Sequence, residues 1–99
     1  MIKVYIVDID NTICETENSD YANSKPLFDR IERINELYAE GHTIIYWTAR
    51  GGNSKIDWTD RTHSQLAAWG CKYDEIRLGK PVYDVWIDDK AINAEEYFK

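Results

Sequence analysis

Ninety-nine residues supply enough chain for one hydrophobic core and too little for two, so a single domain over 1–99 is expected. With 43% hydrophobic and 13% aromatic residues the chain can offset its ordering entropy, which excludes a disordered polymer. Twelve Lys and Arg against 18 Asp and Glu give a net charge of −6 and exclude a broad basic face for duplex nucleic acid or anionic lipid.

Residues 2–8 are β-branched and aromatic without polar alternation, the pattern of a strand covered on both faces, and they predict the central strand of a parallel sheet. The polar, turn-forming run "CETENSDYANS" at 14–24 predicts a loop or small flap. Pro26 stands where a first helical turn tolerates proline, and Leu27, Ile31, Ile34 and Tyr38 recur at three and four residues until Gly41, which predicts a helix. "HTIIYW" at 42–47 reads as a second strand that gives way to the small and polar "TARGG" at 48–52. Residues 53–58 read as loop, after which Asp57 or Thr59 can cap a helix that carries Leu66 and Trp69 and ends at Gly70. A third strand is expected around 74–78, a turn at "GKP" 79–81, and a fourth strand over "YDVWIDD" 83–89. A short helix comes after Asn93, whose side chain can cap it with Glu96 three residues on. This alternation implies βαβ units: an α/β fold, a Rossmann-like three-layer sandwich with a short, mostly parallel central sheet.

The two cysteines, Cys14 and Cys71, make no disulfide framework and no CxxC pair, so reduced thiols are expected. Only four apolar residues separate Met1-Ile2-Lys3 from Asp8, too few for a signal peptide, and no run has the length of a membrane span. A cytoplasmic protein without a membrane partner is expected.

In an open parallel sheet, ligands bind beyond the carboxyl ends of the strands. The first strand releases Asp8, Asp10 and Thr12 there, the second Thr48 and Arg50, and the fourth Asp88 and Asp89, while Lys80 reaches across from the loop before strand four. Four carboxylates at one edge repel each other unless a cation sits among them. Mg²⁺ is the economical choice, since it prefers oxygen ligands and is held by one or two carboxylates plus substrate phosphate. His42 and His63 lie far from the acids in this arrangement, so no zinc site competes. Thr48, Arg50 and Lys80 bring the donors and positive charge that a phosphoryl group requires. Taken singly, each residue also has an ordinary reading: a DxD at a strand end turns a corner, and an arginine in a loop is a surface charge. Trp47, Trp58, Trp69 and Trp86 read as core or subunit interface rather than a stacking platform, with Trp58 and Tyr21, in the two loops, as the candidate exceptions, and so many tryptophans on a small body point to a homo-oligomer.

In series, these residues resemble the haloacid dehalogenase (HAD) superfamily of phosphohydrolases. "DIDNT" at 8–12 matches its first motif, Thr48 in "IIYWTAR" its second, Lys80 in "LGKP" its third and "VWIDD" at 85–89 its acidic fourth. The gaps between motifs have no room for the large cap of many members, so the resemblance implies a capless one. It implies Asp8 as nucleophile, Asp10 as general acid and base, and Thr48 and Lys80 on the transferring phosphoryl group. The metal ligands would come from Asp8, Asp10, Asp88 and Asp89, with Thr12 and Arg50 as candidate substrate contacts. The expected activity is a Mg²⁺-dependent phosphatase for a small phosphorylated metabolite such as a sugar phosphate or nucleotide. The alternatives are a polynucleotide end phosphatase, a phospho-accepting signalling module and a Mg²⁺-binding protein without turnover.

Overall fold

The computed structural model describes residues 1–51 and 56–99; the loop expected over 53–58 therefore lies partly outside the described residues, as does the end of the 48–52 run. The apolar opening forms β1 (Val4–Val7). A two-stranded antiparallel ribbon, β2 (Cys14–Glu15) with β3 (Lys25–Pro26), leads into the helix α1 (Phe28–Ala39). "TIIYW" then forms β4 (Thr43–Trp47). Next come α2 (Thr59–Ala68), β5 (Glu75–Arg77) and the short α3 (Ala94–Tyr97). The protein is α/β, with a short parallel sheet in the order β1-β4-β5 flanked by helices.

β4 shows why the sheet holds. Ile44 and Tyr46 point into the core while Thr43, Ile45 and Trp47 are half-buried, the period of two that a strand imposes. Ile31 and Ile34 of α1 and Leu66 of α2 close over Val7, Ile44 and Tyr46, each buried aliphatic side chain contributing about 1.5–3 kcal/mol. Tyr38, expected on the same stripe, is exposed. Asn35 ties α1 to the end of α2: its amide nitrogen donates to the Gly70 carbonyl at 2.9 Å, and its oxygen accepts from the Lys72 N–H at 2.8 Å. Asn93 accepts from the Glu95 N–H at 2.9 Å and caps α3 as expected; α2 instead has Trp58 at its cap position, without a side-chain cap bond, and Asp57 just before it accepts from the Thr59 N–H at 2.9 Å.

Three expectations are corrected. Pro26 does not open α1; it pairs with Cys14 in the ribbon, where an edge position spares a proline's missing N–H, and the helix begins at Phe28. β1 is an edge strand of the described sheet, with Val4 and Ile6 63% and 57% exposed on its outer side. The fourth strand over 83–89 does not form: residues 81–93 are exposed throughout and carry no strand. Local partners account for this. Asp88 accepts from the Lys90 N–H at 2.7 Å and from the Trp86 indole at 3.3 Å, and short-range side-chain bonds of this kind compete with a ladder. The Lys80 ammonium lies over the Tyr83 and Trp86 rings.

Candidate active site

The turn after β1 is built around two buried isoleucines. Ile9 and Ile13 are wholly buried, and the Ile9 carbonyl accepts from the N–H groups of Thr12 and Ile13 at 3.1 and 3.0 Å. Asn11 supplies the left-handed residue at φ 62° that closes so tight a turn. With Ile9 anchored inward, Asp8 and Asp10 on either side of it emerge at the carboxyl end of β1.

β4 ends in the same region. Thr48 is buried and works in three directions: its N–H donates to the Arg77 carbonyl at 2.9 Å, its carbonyl accepts from the Lys80 N–H at 3.0 Å, and its hydroxyl accepts from the Arg50 N–H at 3.1 Å. One threonine thus fixes the backbone of both nearby cations. The Lys80 side chain is buried, and its ammonium stands 3.7 Å from the Asp8 carboxylate, close enough for charge attraction and too long for a hydrogen bond. Thr12 donates to the other Asp8 oxygen at 3.3 Å. Asp8 keeps 38% of its side-chain surface, yet the protein around it withdraws enough water to hold its carboxyl above the usual range. Lys80, the Ile9 N–H and Thr12 pull the other way without cancelling that effect.

Asp10 lives differently. The Arg50 guanidinium grips it through two parallel bonds, Nε to Oδ2 at 3.0 Å and Nη2 to Oδ1 at 2.8 Å, the fork geometry that strengthens such pairs. The Thr16 hydroxyl donates to Oδ1 at 2.6 Å and meets the Ser24 hydroxyl, also at 2.6 Å. The remaining Arg50 nitrogen donates to the Gln65 side-chain oxygen at 2.6 Å and to the Thr62 hydroxyl at 3.3 Å, while Gln65 donates to the Tyr21 carbonyl at 2.6 Å. The guanidinium carbon sits 4.8 Å from the centre of the Tyr21 ring. Arg50 is therefore no substrate contact. It is buried, and it joins the flap around 14–26, α2 and Asp10 into one polar knot.

The structure brings together Asp8, Asp10, Thr12, Thr48, Arg50 and Lys80. It does not bring Asp88 and Asp89 to them as an acidic cage: Asp88 is turned to Lys90 and Trp86, bonds that lower its pKa, and both acids lie on the exposed 81–93 segment. Among the described residues no group of three or more His, Cys, Asp or Glu is placed to hold a metal ion. Cys14 donates weakly to the Ile9 carbonyl, and burial pushes its thiol upward, away from nucleophilic use. Sequence reasoning missed Thr16 and Ser24, whose only advance signal is a polar flap without periodicity, and Thr62 and Gln65, which are polar positions of α2. It also missed that Tyr83 and Trp86 stand at Lys80 rather than in a core.

No family model and no curated protein matches the chain. Among solved structures, it is similar to a crystallographic target protein from Vibrio cholerae at 33% identity and a TM-score of 0.86, over 98% of this chain and 88% of that one. The two chains belong to one family. The α/β fold is therefore shared within the family, and a fold by itself assigns no chemistry.

Proposed function

We propose that the protein is a capless HAD-type phosphoric monoester hydrolase that acts on a small phosphorylated metabolite through an aspartyl-phosphate. The observation that carries this reading is the pairing of one open carboxylate, Asp8, with the ammonium of a buried lysine side chain, Lys80, 3.7 Å away at the end of a parallel strand. An anionic nucleophile meets an anionic phosphoryl group only where fixed positive charge offsets their repulsion. Asp8 Oδ attacks phosphorus, an O–P bond forms and the bond to the substrate's oxygen breaks. The leaving oxygen takes its proton from Asp10, whose Oδ2 carries a single hydrogen bond among the described residues. A water then attacks the same phosphorus, gives its proton back to Asp10, and returns Asp8 as carboxylate.

Mg²⁺ is the cofactor of this reading, and the described residues do not assemble a cage for it. Asp10 faces Arg50 and Asp88 faces Lys90, which leaves Asp8 as the open carboxylate of the strand end. The setting proposed is the cytoplasm; among the described residues no helix is long and apolar enough to cross a membrane. A homo-oligomer also belongs to the proposal, supported by the exposed apolar side chains of Val4 and Ile6 on β1.

The test is hydrolysis of an aryl phosphate with and without Mg²⁺ by wild type, Asp8→Asn and Asp10→Asn. Turnover in wild type that disappears in Asp8→Asn is the expected result, with phosphoenzyme accumulating in Asp10→Asn. Turnover that survives Asp8→Asn refutes the nucleophile. A phosphoenzyme that forms in wild type and is never released assigns the protein to the phospho-accepting modules instead.

A further inference from the structure

We infer that Tyr83 and Trp86, backed by Trp47, form a stacking wall for the leaving group, so that the preferred substrates are phosphomonoesters of an uncharged ring with an apolar face. This deepens the phosphatase reading and rests on it for the position of the phosphoryl group. Lys80 links the two halves. Its ammonium stands 3.7 Å from Asp8, 5.2 Å from the Tyr83 ring centre and 5.3 Å from that of Trp86. A phosphoryl group bound to Lys80 and in line with Asp8 carries its ester oxygen on the side away from Asp8, and the rings that gather around the same ammonium are within reach of the group esterified to it.

The rings hold each other. Tyr83 meets Trp86 edge to face with centres 5.2 Å apart, and Trp86 meets Trp47 likewise at 6.1 Å, arrangements that aromatic quadrupoles favour. The Trp86 indole N–H is anchored on Asp88 at 3.3 Å. Yet Tyr83 and Trp86 remain 47% and 43% exposed, so the cluster presents apolar ring surface to solvent beside a charged site. Neither a core nor a bare surface explains rings gathered around the one ammonium that faces Asp8 among the described residues. The acids of the same segment, Asp84, Asp88 and Asp89, are exposed and repel a leaving group that carries further phosphates, which disfavours nucleic-acid ends and nucleoside polyphosphates. A nucleobase, an aryl ring and the apolar face of a pyranose share the chemistry that fits.

Isothermal titration calorimetry on the Asp8→Asn protein, which under this reading binds without turning over, separates the sources. The ligands are phenyl phosphate, a nucleoside 5′-monophosphate, glucose 6-phosphate and glycerol 3-phosphate. We expect at least one ring-bearing ligand to bind about tenfold or more tightly than glycerol 3-phosphate, and Trp86→Ala to erase that preference while leaving glycerol 3-phosphate within about twofold. Trp86→Phe should restore most of it. Phenyl phosphate and the nucleotide leading identifies an aromatic partner; glucose 6-phosphate leading identifies a sugar. Equal affinities for all four, no saturable binding, or a preference that survives both Trp86→Ala and Tyr83→Ala overturns the inference. Because the readout is affinity, a ring preference without hydrolysis in wild type would fail the phosphatase and leave the wall standing.

Discussion

Asp8 and Asp10 are separated by one buried isoleucine and share a turn, but the protein surrounds them differently. Asp10 is held by a bidentate arginine and a threonine hydroxyl, in a knot whose every other member is a side chain or carbonyl of the protein. Asp8 has a long ion pair, one threonine contact at 3.3 Å and an open side. The contrast teaches how a strand end can carry two roles at once: a carboxylate held in the arginine fork has a fixed place from which to pass a proton, and a half-paired one beside it keeps lone pairs for a ligand. The same division runs through the cations. Arg50 is saturated with acceptors from the protein, whereas Lys80 meets one carboxylate and two rings.

Stability should divide along that line, and the largest effect falls on Arg50. Arg50→Ala leaves the Asp10 carboxylate without its counter-ion, along with Gln65 and Ser24 without a donor, a loss of about 3–5 kcal/mol. For a domain this small that is a large share of the whole. Lys80→Met, which keeps the aliphatic stem, should cost about 1 kcal/mol or less, since its pair with Asp8 is long and partly solvated. Urea unfolding of both variants measures the difference. Equal losses would mean that the two acids are held alike and would remove the contrast.

Much of this scaffold is legible in the sequence because its causes are local. The apolar, β-branched and aromatic run "TIIYW", the spacing of Ile31 and Ile34, and the Asn93 cap each depend on neighbours within a few residues, and each forms as expected. Asp8, Asp10, Thr48 and Lys80 are legible for a related reason: strand ends predict which residues reach the rim. The Arg50 knot is not, because its partners come from 15, 26 and 40 positions away in the chain, and the flap that supplies Ser24 has no period to read. The 83–89 segment misleads because β-branched and aromatic residues suit a strand and equally suit a chain drawn to an ammonium. Composition does not choose between a ladder and local side-chain bonds; Asp88 and Lys80 do.

The second effect concerns pH, and its sign comes from the raised carboxyl of Asp8. An acid whose folded pKa lies above its unfolded value takes up its proton first in the native state. Its contribution to stability is fully present below the unfolded value, near pH 4, and is lost as pH rises through the folded value. Wild type at neutral pH therefore carries an ionisation cost that Asp8→Asn does not. The variant should melt higher at pH 7, and the gap should close as the buffer is taken down to about pH 4. Differential scanning fluorimetry across that range reads it. A variant that melts lower at pH 7 would mean that Lys80 holds Asp8 more firmly than desolvation opposes it, and Asp8 would then resemble Asp10.

The smallest effect isolates what makes Arg50 different. Arg30 pairs with Glu95 at 3.0 Å, against 2.8 Å for Arg50 with Asp10, so distance alone would rank the two pairs together. Burial separates them: the Glu95 side chain is 78% exposed, and water and salt already compensate its charge. Arg30 also loses little else, because its second nitrogen still donates to the Thr12 carbonyl at 3.1 Å and its guanidinium still lies 4.9 Å from the centre of the Phe98 ring. Glu95→Gln should therefore shift unfolding by about 0.5 kcal/mol or less, and the shift should fade between low salt and about 0.5 M, where the Debye length falls to a few ångströms. Urea unfolding at the two salt concentrations measures it. A loss approaching that of Arg50→Ala would show that charge separation, rather than enclosure by the protein, sets the worth of an ion pair here, and the distinction between the two aspartates would lose its physical basis.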